Sequence, residues 1–68
     1  MRLDDENVVT FEDVHVRRDA GLALVCGIGA NEVWVPKAQL LPGTTVRSPG
    51  DRGRLIVPRW FALDQGLV

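Results

Sequence analysis

The sequence predicts a mainly β domain closed by a short C-terminal helix, and three observations predict it. One junction is written twice: Glu32-Val33-Trp34-Val35-Pro36-Lys37 and Arg54-Leu55-Ile56-Val57-Pro58-Arg59 are apolar runs stopped by proline and then a base. Proline lacks the N–H a central strand must donate, yet its fixed φ suits the first position of a helix, where that N–H has no intrahelical partner. Each junction therefore reads as a strand turning into a short helix. The second observation is Leu22 to Ile28, apolar on both faces as the middle strand of a sheet would be. The third is the punctuation: Asp19-Ala20-Gly21, Gly29-Ala30-Asn31 and Ser48-Pro49-Gly50-Asp51-Arg52-Gly53 are turn or loop chemistry between these runs.

Taken in order, residues 1–8 carry neither apolar period nor turn chemistry and read as an acidic, flexible leader to a single domain spanning 9–68. Val9 to Arg18 is a strand with Val14 and Val16 on one face and His15 and Arg17 on the other. Phe11 falls out of phase, which predicts a bulge or bend. After the Leu22–Ile28 strand, a tight reversal leads into Glu32 to Val35, where Trp34 lies opposite Val33 and Val35. Pro36 to Leu40 is one helical turn ended by Pro42-Gly43. Thr44-Thr45-Val46-Arg47 is a short β-branched strand, Arg54 to Val57 the last strand, and Pro58 to Gln65 a helix closed by Gly66. Trp60 and Leu63 share a face of that helix, so Trp60 reads as core. Five short strands and a terminal helix suggest a small, partly open barrel of the SH3-like or OB-like kind. The alternative is a curled sheet with the helix covering one face.

Sixty-eight residues make one domain near the lower limit for a core without disulfide or metal. Its stability should be about 3 to 10 kcal/mol. The chain is 46% hydrophobic and 25% charged, ordinary globular proportions that argue against disorder throughout. Net charge is −1 but unevenly placed: residues 1–13 set five acids against Arg2, whereas residues 14–68 set seven bases against four acids. Cys26 is alone, so no intramolecular disulfide forms and the residue reads as a buried, inert thiol. Nothing at the start resembles a signal-peptide core and no run approaches membrane-spanning length, so a cytoplasmic protein without a membrane partner is expected.

Signatures of enzymes are missing from this pattern. Gly27-Ile28-Gly29 enters a hairpin instead of opening a helix and fails as a phosphate loop; one cysteine and one histidine cannot supply metal-ligand spacing. His15, the only histidine, sits on a predicted strand neighbouring that of Cys26, but nothing marks the pair as catalytic. No catalytic, cofactor or metal residues are assigned, and a non-catalytic binding module is expected. Its candidate contact residues are Trp34, Lys37, Arg47, Arg52, Arg54 and Arg59. The arginines flank the long loop, and Lys37 and Arg59 sit at helix starts, where a base opposes the macrodipole unless it points elsewhere or meets an anion. Clustered beside an exposed Trp34, they would form the basic and aromatic groove of a single-strand-binding barrel. Scattered, they would be solvated surface, and Trp34 would be core filling or a platform for a protein partner.

The stretch Glu32-Val33-Trp34-Val35-Pro36-Lys37-Ala38-Gln39-Leu40, with Leu55-Ile56-Val57-Pro58-Arg59-Trp60-Phe61-Ala62 and Gly66-Leu67, resembles small phage and prophage-type proteins. Those carry E-V-W-I-P-K-S-Q-I and, after a turn rich in charge and glycine, I-x-I-P-x-W-L-A. The match covers about residues 20–68; Ala38 replaces the usual serine and Phe61 the usual leucine. The resemblance implies a mobile-element accessory protein and supplies no mechanism. Three functions are thus expected: a module associated with single-stranded nucleic acid or a nucleoprotein complex, a protein–protein module acting on a host or phage complex, or a structural subunit that homo-oligomerises through a sheet edge.

Overall fold

A computed structural model of the chain describes residues 7–68. Four strands, β1 (Val8–Asp19), β2 (Ala23–Ile28), β3 (Asn31–Pro36) and β4 (Arg52–Pro58), form one open sheet in the order β3-β2-β1-β4, every neighbour antiparallel. A 3₁₀ turn follows β3 at Lys37–Gln39, and helix α1 (Arg59–Asp64) follows β4. Both junctions turn strand into helix, but one residue later than read: Pro36 and Pro58, at φ −58° and −62° with extended ψ of 135° and 146°, are the last residues of their strands, and the helical turns begin at Lys37 and Arg59. The acidic leader falls mostly on residues 1–6, outside the described residues. Its last two positions belong to the fold, because Val8 pairs with Pro58 and the Arg59 N–H donates to the Asn7 carbonyl at 2.8 Å.

Core residues lie on one face of the sheet. Val14, Val16, Leu24, Cys26, Val33, Val35, Leu55 and Val57 point to this inner face, where Val46, Phe61 and Ala62 cover them. The out-of-phase Phe11 is resolved by a bulge between Phe11 and Val14, which lets both residues face the core. Its cost is visible in Asp13, whose φ of 58° is one that Asp and Asn tolerate better than most side chains. Between β1 and β2, the Asp19 carboxylate accepts the Gly21 N–H at 2.8 Å, and Gly21 takes a φ of 91° in the turn.

Two expectations need correction. Thr44–Arg47 is not among the strands, and the four described strands form one open sheet. The segment does lie along the outer edge of β4, but side chains replace much of the backbone ladder. Thr44 Oγ1 accepts the Ile56 N–H at 2.9 Å and donates to the Ile56 carbonyl at 3.2 Å; Thr45 Oγ1 accepts the Arg54 N–H at 2.9 Å. Backbone donors at Thr45 and Leu41 reach the carbonyls of Arg54 and Ile56. Second, Trp60 is not core: it is 59% exposed, and Phe61 and Ala62 are the buried residues of α1. Six residues are too few for helical period to choose the inward face, and the face that docks is the one continued by Leu67, which packs against the core.

Candidate functional site

The outer face of the sheet, opposite the core, carries the charged and aromatic side chains, and two irregularities of β1 determine which ones. A strand normally sends consecutive side chains to opposite faces. The register shift between Val16 and Arg18 breaks this alternation: Val16 pairs with Cys26 and Arg18 with Val25, so one residue of β1 is extra. Arg17 and Arg18 consequently both reach the outer face. The Arg17 guanidinium lies across Gly27, and the Arg18 guanidinium stands 5.3 Å from the centroid of the Trp34 ring. Val25 pairs with both Arg18 and Trp34 and is fully buried beneath them, although it faces away from the core.

Trp34 is 54% exposed, so an aromatic platform exists on this face. Beside it runs a second row, Arg52 opposite His15, His15 opposite Gly27, Gly27 opposite Glu32. Asp13, His15, Arg17, Gly27, Gly29 and Arg52 line a shallow cavity there. The other bulge presents Glu12 and Asp13 to β4, where Asp13 Oδ1 meets Arg52 Nη1 at 3.2 Å and Glu12 Oε2 meets Arg54 Nε at 3.5 Å.

The six residues expected from sequence are not brought together. Trp34 is on edge strand β3, whereas Arg52 and Arg54 are on β4, three strand spacings or about 14 Å away. Lys37 turns to Asp19, with Nζ 3.0 Å from Oδ2. Arg47 belongs to the loop beside β4, its Nη2 3.5 Å from the Thr44 carbonyl, and Arg59 opens α1. The cations beside Trp34 are instead Arg18 and Arg17, which have no carboxylate partner among the described residues. The signal was the adjacency of two arginines where strict alternation would have buried one.

The loop and turn carboxylates are structural. Asp51 accepts the backbone N–H groups of Arg47 and Ser48 at 2.9 and 3.0 Å, which hold its carboxyl below the usual aspartate range. Asp19 is lowered in the same way by the Gly21 N–H and then by Lys37. Cys26 is buried with Sγ 3.9 Å from the Leu24 carbonyl, and burial pushes its thiol up, away from the thiolate a nucleophile needs. His15 faces the outer cavity while Cys26 faces the core, so the two do not meet. Among the described residues no cluster of three potential metal ligands occurs, and no helix is long and apolar enough to cross a membrane. Comparison with known proteins finds no matching family model, no matching curated protein and no matching solved structure.

Proposed function

We propose that the chain is a non-catalytic binding module of the cytoplasm whose outer sheet face holds single-stranded nucleic acid, alone or within a nucleoprotein complex. The observation that carries this reading is the Arg18–Trp34 pair: an indole more than half exposed with the Arg18 guanidinium 5.3 Å from its ring centroid and Arg17 over Gly27 on the next strand, neither arginine having a carboxylate partner among the described residues. Bases stack on such rings without regard to sequence, and guanidinium groups beside them take the phosphates. The Thr44–Arg47 segment, which hydrogen-bonds along β4 in the position of a fifth strand, supports reading the whole as a partly open SH3-like or OB-like barrel. The resemblance to phage and prophage-type proteins adds the setting of a mobile-element accessory protein.

The test is fluorescence anisotropy of a labelled oligothymidylate and its RNA counterpart over a range of salt concentrations. Trp34→Ala is expected to weaken binding by about 1–3 kcal/mol, or roughly 5- to 150-fold, with the salt slope intact. Arg17→Gln with Arg18→Gln is expected to flatten the slope by about 0.7 for each phosphate that is no longer neutralised. No binding by the folded protein at low salt, where attraction between charges is strongest, refutes the reading.

A second reading draws on β3. The outer edge of β4 is satisfied by Thr44 and Thr45, whereas β3 has one β-neighbour and a free outer edge among the described residues. An open edge is a template for another strand, from a host or phage protein or from a second copy of this chain. Sedimentation of the free protein separates these: a concentration-dependent dimer supports self-pairing, and a monomer that binds no oligonucleotide leaves the protein-partner reading.

A further inference from the structure

The cavity between β4, β1 and β2 lies on the same face as Trp34, and its chemistry is specific. Its floor is Gly27. A Cβ at that position would stand 2.9 Å from Arg17 Nε and 3.0 Å from Arg17 Nη2, so the missing side chain is what lets the Arg17 guanidinium lie flat against the sheet. Across His15, in the same cross-strand row, stands Arg52, steadied by Asp13. The cavity of about 180 Å³ thus holds two guanidinium groups against one carboxylate. Either tautomer of the His15 ring offers an N–H donor besides. Lined by groups that are almost all polar and open to solvent, the cavity suits a charged group carried on a larger ligand better than an enclosed metabolite.

We propose that this cavity is a phosphate subsite, in which Arg17 and Arg52 take the oxygens of one phosphate. Guanidinium forks match phosphate oxygens in paired hydrogen bonds, and among the described residues Arg17 has no carboxylate partner to displace. The ligand assignment rests on the single-strand reading: the phosphate is a backbone phosphate of the strand whose base stacks on Trp34. Gly27 and Trp34 are one strand apart and two residues out of register, about 8 Å between their Cα atoms, within the reach of a neighbouring nucleotide.

The experiment is an NMR titration of the ¹⁵N-labelled full chain with inorganic phosphate, with acetate as a carboxylate probe and chloride at matched ionic strength. Phosphate is expected to give saturable shifts at the Gly27 and Gly29 amides and the Arg17 and Arg52 Nε–H groups, stronger than acetate and absent with chloride. Arg17→Gln and Gly27→Ala should each abolish saturation, whereas Arg47→Gln, which does not line the cavity, should not. Gly27→Ala is decisive because it removes no charge and only displaces Arg17; Arg17→Gln, at an exposed site, covers the case in which that variant fails to fold. Against oligothymidylate, Arg17→Gln should weaken binding about tenfold.

Non-saturable shifts, equal shifts with chloride, or stronger shifts with acetate overturn the subsite, the last in favour of a peptide carboxylate. If oligothymidylate binds and perturbs Trp34 while Gly27 and Arg17 stay unmoved, the subsite falls and the single-strand reading stands. If phosphate saturates the cavity but no oligonucleotide binds, the phosphate site stands and the single-strand reading falls.

Discussion

Replacing Thr44 by valine isolates the device that stands in for a fifth strand. The two side chains have nearly the same shape, and Thr44 is 6% exposed, so the substitution leaves packing in place. It removes the hydroxyl that accepts the Ile56 N–H at 2.9 Å and donates to the Ile56 carbonyl at 3.2 Å. Each such bond contributes about 0.5–1.5 kcal/mol net, and a partly buried N–H left without an acceptor carries a further desolvation cost. The expected loss is therefore about 1–3 kcal/mol, from a total of about 3–10 kcal/mol for a chain of this length. At about 4–8 °C per kcal/mol for a small domain, Tm should fall by roughly 5–20 °C in a circular-dichroism melt. Thr44→Ser keeps both bonds and loses one methyl, about 0.8 kcal/mol, so it should lie nearer wild type. Thr45→Val should also cost less, because its single bond to the Arg54 N–H is exposed and water can replace it. A Thr44→Val melt within about 0.3 kcal/mol of wild type, or a Thr45→Val loss exceeding it, refutes the edge-capping account.

Phe61→Ala is expected to cost about 3–5 kcal/mol and to leave the domain unfolded or nearly so, whereas Trp60→Ala forfeits only the edge-on packing against Phe61, about 0.5–1.5 kcal/mol; paired urea melts check the order. Asp51 has a depressed folded pKa, so its contribution to stability is present above the ordinary aspartate value near 3.9 and is lost as pH falls through its folded value; Asp51→Asn should flatten that acid limb of a stability–pH curve. Asp13→Asn keeps a side chain that tolerates positive φ but removes the one carboxylate of the cavity, and should tighten phosphate binding in the NMR titration; weaker binding would mean that Asp13 serves to aim Arg52.

Local chemistry was legible in the chain where one residue type dictates the backbone. Both Pro36 and Pro58 mark strand-to-helix junctions, and the misplaced Phe11 marks the first bulge. Thr44–Arg47 has strand composition, but two adjacent hydroxyls offered the backbone of β4 an alternative to a ladder, and composition does not say which partner wins. Trp60 and Phe61 are neighbours of similar hydrophobicity, and the face that docks, the one continued by Leu67, takes Phe61. The six candidate residues lie apart for a related reason. Asp13 and Arg52 are far apart in sequence and Lys37 is well removed from Asp19, so which bases would be neutralised depended on strand order and register.

Strand β1 explains why a chain with net charge −1 can still present a cationic surface. Its two bulges each turn a pair of adjacent charged residues toward the outer face: Glu12 and Asp13 toward β4, Arg17 and Arg18 toward β2 and β3. The acids meet Arg52 and Arg54 and lower the charge of that side, while the bases meet a glycine and a tryptophan and keep theirs. Two arginines against one carboxylate, Glu32 opposite Gly27, thus stand at the Trp34 end of this face. With a Debye length of about 8 Å at physiological salt, a polyanion docked there feels these two arginines, and Glu32 with them, more strongly than Glu12 and Asp13 beside β4. Local placement therefore outweighs the low pI of 5.6 as a guide to what this face can hold.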